Sequence, residues 1–319
     1  MAWPEIPYPP WRETCLALQL FVQIVGKYRL ARSPWVNHSW HATLYVNARG
    51  FTTSLVPDVR VGVEIAFDLV EHAVVATTTD GRQGRIPLAP MSVAQFHERF
   101  RELLRSLDAT PDFHGRPNEV HDAIPFAEDR AERPYDAGAA TRFFRAMAAA
   151  DRVFKRFRTA YLGKVSPVHL FWGSFDLAVT RFSGRLAPLH AGGIPGLPDD
   201  VTREAYSHEV SSAGFWPGGM GIEFPAFYSY AYPSPQGFAD ARVTPSEAYF
   251  DTRLGEFLLP YDAVRSATDP DVVLLAFLDS TYRAAADLGG WDRDALECPP
   301  GEPLRPRPLQ DAGRRRVAT

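Results

Sequence analysis

Cysteine is nearly absent from this chain: Cys15 and Cys298 are the only two in 319 residues. Two thiols near opposite ends build no disulfide framework and no Cys-x-x-Cys motif. Long apolar runs are also missing. Leu16 to Val25 is interrupted by Gln19 and Gln23, and Val272 to Leu278 ends at Asp279. Neither run approaches the roughly 20 residues a membrane span requires, so no membrane partner is expected. The opening Met-Ala-Trp-Pro-Glu has no basic region ahead of an apolar stretch, so no secretory leader is expected and the cytoplasm is the expected location. There is no excess of one charge: the net charge is −4, which gives no basic field to hold nucleic acid. The one basic cluster, Arg314 to Arg316, follows the Pro-rich stretch Pro299 to Pro308 and reads as a frayed tail. Gly-x-Gly-x-x-Gly, Walker, His-Glu-x-x-His and Gly-x-Ser-x-Gly motifs do not occur. That argues against a standard nicotinamide or ATP enzyme and points to no particular cofactor.

What is present is patterned apolar sequence, 45% hydrophobic against 23% charged, enough for a core that needs no staples. Trp11 to Leu30 carries Leu16, Leu20, Ile24 and Tyr28 at near-helical spacing, and Pro34 stops it. From Trp40 the period falls to that of strands. Leu44 and Val46, Phe51 to Val56, and Val63 to Leu69 are strand-like, and Val74 to Thr79 and Arg82 to Leu88 flank an Asp80-Gly81 hairpin signal. Ser92 and Gln95 form a capping box ahead of an apolar helix face through Phe96, Phe100 and Leu104. The second stretch repeats the plan. Gly138 to Leu162 is a helix, His169 to Thr180 a strand, and Arg185 to Pro225 a Gly/Pro-rich loop. Phe227 to Tyr232, Ala248 to Thr252 and Glu256 to Leu259 are strand-like, and Asp269-Pro270 starts a closing helix.

The expected fold is therefore α+β, with two related halves at residues 1–110 and 136–292. Each would be a helix, a four-stranded antiparallel sheet and a helix, the two arranged about a pseudo-two-fold axis. A connector at 111–135 joins them, and a disordered tail is expected at 293–319. Val25-Gly26-Lys27 and Leu162-Gly163-Lys164, each followed by Pro, Trp and a strand, speak for internal duplication.

Three polar-aromatic segments carry the candidate chemistry. In Trp35 to His41, His38 and His41 are three apart in a loop. They could supply two metal ligands where at least three are needed, or simply bond backbone at a tight turn. In His169 to Arg181, Trp172, Ser174 and Asp176 share one strand face, which suits a polar cavity or a solvent-facing side equally. Tyr206 to Glu209 lies within the long loop, read as a lid, with His208 and Glu209 as proton-transfer candidates. Tyr228, Tyr230 and Tyr232 alternate along the next strand and would form either a stacking wall or a half-exposed sheet face.

The runs Trp11 to Lys27, Asn37 to His41, Gly163 to His169, Phe171 to Arg185 and Glu204 to Glu209 resemble an uncharacterised bacterial family catalogued as a domain of unknown function. The resemblance extends from Trp3 to about Trp291 and is most specific over Phe171 to Arg185. It implies no assigned activity and lends neither a catalytic residue nor a cofactor. The leading expectation therefore rests on the residues. It is binding or transformation of a small molecule in a cleft between the halves, with His38, His41, His208, Glu209 and Asp176 as catalytic candidates. Trp40, Trp172, Ser174, Arg181, Tyr228 and Tyr230 would hold the ligand. One alternative is a metal-dependent hydrolase or oxygenase using His38, His41 and His208, and another is a non-enzymatic scaffold or interaction protein.

Overall fold

The structure, a computed structural model, describes residues 3–219 and 221–307. Helix α1 (Tyr8–Arg32) opens with prolines in its first turn, where a missing N–H costs nothing. Trp11, Leu18, Phe21, Ile24, Val25 and Tyr28 along it are all buried. Strands β1 (Tyr45–Val46), β2 (Gly50–Pro57), β3 (Gly62–Asp68), β4 (Ala73–Thr78) and β5 (Gln83–Pro87) follow. They form one antiparallel meander in chain order, with the Asp80-Gly81 turn joining the last two. Next come β6 (Met91–Ser92) and helix α2 (Val93–Ser106). The Ser92–Gln95 capping box forms as expected, with Gln95 N–H donating to Ser92 Oγ at 3.1 Å and Ser92 N–H to Gln95 Oε1 at 3.0 Å.

The connector contains β7 (Glu132–Arg133), paired with β6. Helix α3 (Ala137–Thr159) is capped by Asp136. After it run β8 (His169–Phe171), β9 (Asp176–Leu186), α4 (Asp199–Ala205), β10 (His208–Trp216), β11 (Ala226–Tyr232), β12 (Tyr249–Asp251) and β13 (Glu256–Pro260). These strands form a six-stranded antiparallel sheet ordered β12-β13-β11-β10-β9-β8. Helices α5 (Tyr261–Arg265), α6 (Pro270–Leu288) and α7 (Arg293–Leu296) follow the sheet.

The fold is thus α+β with antiparallel sheets, and three expectations need correction. The two larger sheets have five and six strands rather than four each, and the second gains β10 from within the stretch read as loop and one more strand where His169 to Thr180 divides. His169 to Thr180 is not one strand: a turn at Trp172–Phe175 folds it into the β8–β9 hairpin, pairing Phe171 with Asp176. The tail read as disordered from 293 instead begins with α7, and Cys298 N–H donates to Ala160 O at 3.2 Å. Residues 308–319, with the Arg314 to Arg316 cluster, lie outside the described residues.

The two sheets meet edge to edge. Leu44, just before β1, and Leu170 of β8 exchange backbone hydrogen bonds of 2.9 and 2.7 Å. Phe51 of β2, Phe143 of α3 and Phe175 of the β8–β9 turn pack there, with ring centroids 5.4–6.4 Å apart. One apolar core runs through both sheets and helices α1, α2, α3 and α6.

His169 sits beside this junction, fully buried, with neither ring nitrogen bonded among the described residues. Burial, helped by the charges of Arg158 and Arg29, pushes its pKa down to about 3 from 6.5. Between those values the unfolded chain binds a proton that the folded chain does not, so stability falls on acidification. Urea unfolding from pH 7 to pH 4 is therefore expected to show a steeper loss for the wild type than for His169→Leu. Equal slopes would contradict this.

Candidate functional site

Strand alternation divides the second sheet into two unlike faces. Leu177, Val179, Phe215, Phe227, Phe257 and Leu259 point to one side and join the core. Asp176, Ala178, Thr180 and Phe182 of β9, Val210, Ser212 and Trp216 of β10, and Tyr228 and Tyr230 of β11 point to the other. There they line a cavity of about 910 Å³. Register places Thr180, Ser212 and Tyr230 in one row across this face, and Ala178, Gly214 and Tyr228 in the next. Thr180 Oγ1 lies 2.8 Å from Ser212 Oγ. Gly214 is required in its row, because a Cβ there would stand 2.3 Å from the Tyr228 ring. Tyr228 can thus lie across the strand and donate its hydroxyl to Asp176, which also accepts from Ser174. Burial raises the Asp176 pKa, and these two bonds work against that rise.

Helix α1 and the connector form the back wall. Gln19, Gln23 and Lys27 recur every four residues and so share one side of the helix. Gln19 donates to Gly173 O at 2.8 Å. Gln23 donates to Asn118 O at 3.0 Å and accepts from Asn118 N–H at 2.8 Å, and Lys27 donates to Asn118 Oδ1 at 2.6 Å. Trp172 packs flat against Gly26, where a Cβ would meet the indole at 2.4 Å, and donates to Ala42 O at 2.8 Å. The Asn118 anchor places Glu119 in the wall beside Lys27 and Gly173.

The front is closed by α4 and the turn at Asn37–Ser39. Glu204 accepts from the backbone N–H of His38 at 2.9 Å, and His38 Nδ1 lies 2.8 Å from Ala205 O. Tyr206 and Tyr230 hydroxyls are 2.9 Å apart. His38, Ser39, Glu119 and Phe175 hold left-handed φ of 56–59° without being glycine. Strain of this kind persists only where surrounding contacts impose it.

The carboxylates give the cavity its electrostatic character. Glu119 is raised to about 7, by burial first and then by the Asp176 charge, with Lys27 opposing. Glu256, at the start of β13, is raised to about 8 by burial, Asp176 and Asp251. Neither carboxylate accepts a hydrogen bond among the described residues. Burial lowers Lys27 to about 8, with Glu119 opposing.

Of the residues proposed from sequence, His38, Trp40, Trp172, Ser174, Asp176, Tyr228 and Tyr230 line this cavity together. Four others do not. Arg181 faces the opposite side of β9, because an odd residue cannot share a strand face with Asp176. Its guanidinium lies 3.5 Å over the Phe157 ring and 4.3 Å over Tyr282. Glu209 is paired outside with Arg185 at 2.7 Å. His41 is buried, accepting from Val36 N–H at 3.1 Å. His208 bonds Ser207 Oγ at 3.1 Å, its ring 6.2 Å from that of His38.

The histidines do not form a metal ligand set. Lys164 Nζ lies 2.6 Å from His38 Nε2, so both ring nitrogens of His38 are engaged. Among the described residues no three His, Cys, Asp or Glu side chains converge to hold a metal ion. Sequence reasoning missed Lys27, Glu119 and Glu256. Lys27 had a signal, since it extends the Gln19–Gln23 polar stripe along an apolar helix. Glu119 and Glu256 had none in their local pattern.

A family model described as Family of unknown function (DUF5996) matches residues 3–298, and the chain belongs to that family. No curated protein and no solved structure matches it.

A carboxyl whose pKa is higher folded than unfolded costs stability as pH rises between the two values. Glu256 spans 4.5 to about 8. The stability of Glu256→Gln relative to wild type should therefore climb over that range and level off above it. A pH-independent difference between their urea midpoints would contradict the burial assigned to Glu256.

Proposed function

We propose that this member of the family binds a small organic molecule in the cavity over the second sheet. The observation that carries the reading is a partly open hollow of about 910 Å³ walled mainly by aromatic and apolar side chains around a few inward polar groups. Binding sites for small molecules have this composition and size. Two residues of its lining, Thr202 and Trp216, each bury a side-chain polar atom with no hydrogen-bond partner among the described residues.

The cleft is assigned to the meeting of the halves in a specific sense. The first half contributes Lys27, Trp35, His38, Trp40 and Ala42, while its own sheet contributes no lining residue. The same reading takes helix, antiparallel sheet and helix as one plan used twice about a pseudo-two-fold axis, with the Leu44–Leu170 bridge at the seam. Residues 1–110 and 136–292 are then the two units, and 111–135 supplies the cavity wall at Asn118 and Glu119. Chemical transformation in place of simple binding would draw on Asp176, Glu119 and Glu256, the carboxyls facing the hollow.

Four of the seven tryptophans, Trp35, Trp40, Trp172 and Trp216, line the cavity, so intrinsic fluorescence reports on its contents. A fragment library screened by fluorescence and thermal shift should yield compounds that stabilise the wild type, by about 2.7 kcal/mol at about 100 times Kd. The same compounds should leave Val201→Trp, which fills the hollow from α4, unshifted. Compounds that shift both proteins equally would place binding elsewhere.

A further inference from the structure

We infer that the cavity selects an organic cation: an amine on an apolar or aromatic body, its ammonium seated between Asp176 and Glu256 and its body against Trp216, Tyr228 and Tyr230. This deepens the binding reading above and rests on it.

The charge balance is the first ground. Three carboxyls, on Glu119, Asp176 and Glu256, share one cavity with a single lysine. Lys27 is held at the Glu119 end, hydrogen-bonded to Asn118 and lying 5.4 Å over the Trp172 ring. Its charge acts on Glu119 and does not figure among the influences on Asp176 or Glu256, whereas Asp176 raises both glutamates. The Asp176–Glu256 end therefore holds two carboxyls facing one hollow with no cation among the described residues. Buried carboxylates in that position either take up protons or attract a positive charge.

The walls are the second ground. The Trp216 and Tyr228 rings lie 4.7 Å apart, and Tyr228 and Tyr230 stack at 6.1 Å. Aromatic faces beside carboxylates recognise ammonium groups through the ring quadrupole together with the ion pair. An inorganic cation fits less well, since no ligand set of metal geometry exists among the described residues and the lining is mostly apolar. An anionic ligand would meet the carboxyls with only Lys27 to receive it.

The test uses three probes of matched shape on the full chain: naphthalenemethylamine, naphthalenemethanol and naphthoic acid, titrated calorimetrically at pH 8. The amine is expected to bind at least about tenfold more tightly than the alcohol, with the acid weakest. Glu256→Gln should remove most of the amine preference while leaving alcohol affinity within about twofold, which also shows that the variant is folded. Alcohol binding equal to or tighter than amine binding, or a preference that survives Glu256→Gln, overturns the cation assignment and leaves the cavity reading standing. If none of the three binds, both fall.

Discussion

The hollow depends on the polar stripe of α1. A helix buried on nearly every side can carry Gln19, Gln23 and Lys27 only if each finds a partner, because an unbonded polar group in a core costs more than its bond returns. The partners are irregular segments with backbone groups of their own to satisfy: Gly173 in the β8–β9 turn and Asn118 in the connector. Each side settles the other's hydrogen-bonding needs, so turn and connector are fixed to one helix. Trp172 then lies on Gly26, and Glu119 follows Asn118 into the wall.

The second sheet completes the enclosure by having two faces of different chemistry. One is apolar and packs on helices. The other carries Asp176, Thr180, Ser212, Tyr228 and Tyr230, and would read as a solvated face were it not roofed by α4 and the Asn37–Ser39 turn. Covering such a face withdraws carboxyls from water, which is why Glu119 and Glu256 sit near or above neutrality. A fold maximising only its own stability would have apolar residues there. Carboxyls withdrawn from water around one hollow are what the proposed binding role would explain.

Local pattern conveyed much of this and failed in specific ways. The α1 period, the Asp80-Gly81 hairpin, the Ser92 capping box and the Asp269 cap depend on neighbouring residues, and the structure contains all of them. Strand alternation accounts for Tyr228 and Tyr230 sharing the cavity face, whereas Trp172 and Ser174 reach the cavity from the β8–β9 turn and not from the strand face that they were expected to share with Asp176. The same alternation, applied strictly, excludes Arg181, whose odd position sends it among Phe157, Tyr161 and Tyr282. The turn at Trp172–Phe175 was hidden because its one left-handed residue is Phe175, where glycine or asparagine would have signalled it. Strand β10 was hidden by the glycines and prolines on either side of it. Glu119 and Glu256 owe their place to contacts far along the chain, which no local period records.

The dependence of the cavity on the α1 stripe is tested most directly by hydrogen exchange on Gln23→Leu. Without the glutamine, the Asn118 N–H and carbonyl lose their partner. The amides of Asn118 and Glu119 are then predicted to exchange much faster, while those of β2, β3 and β4 keep their protection. Unchanged protection at Asn118 and Glu119 would contradict the account, since the wall would then be held by something other than this helix.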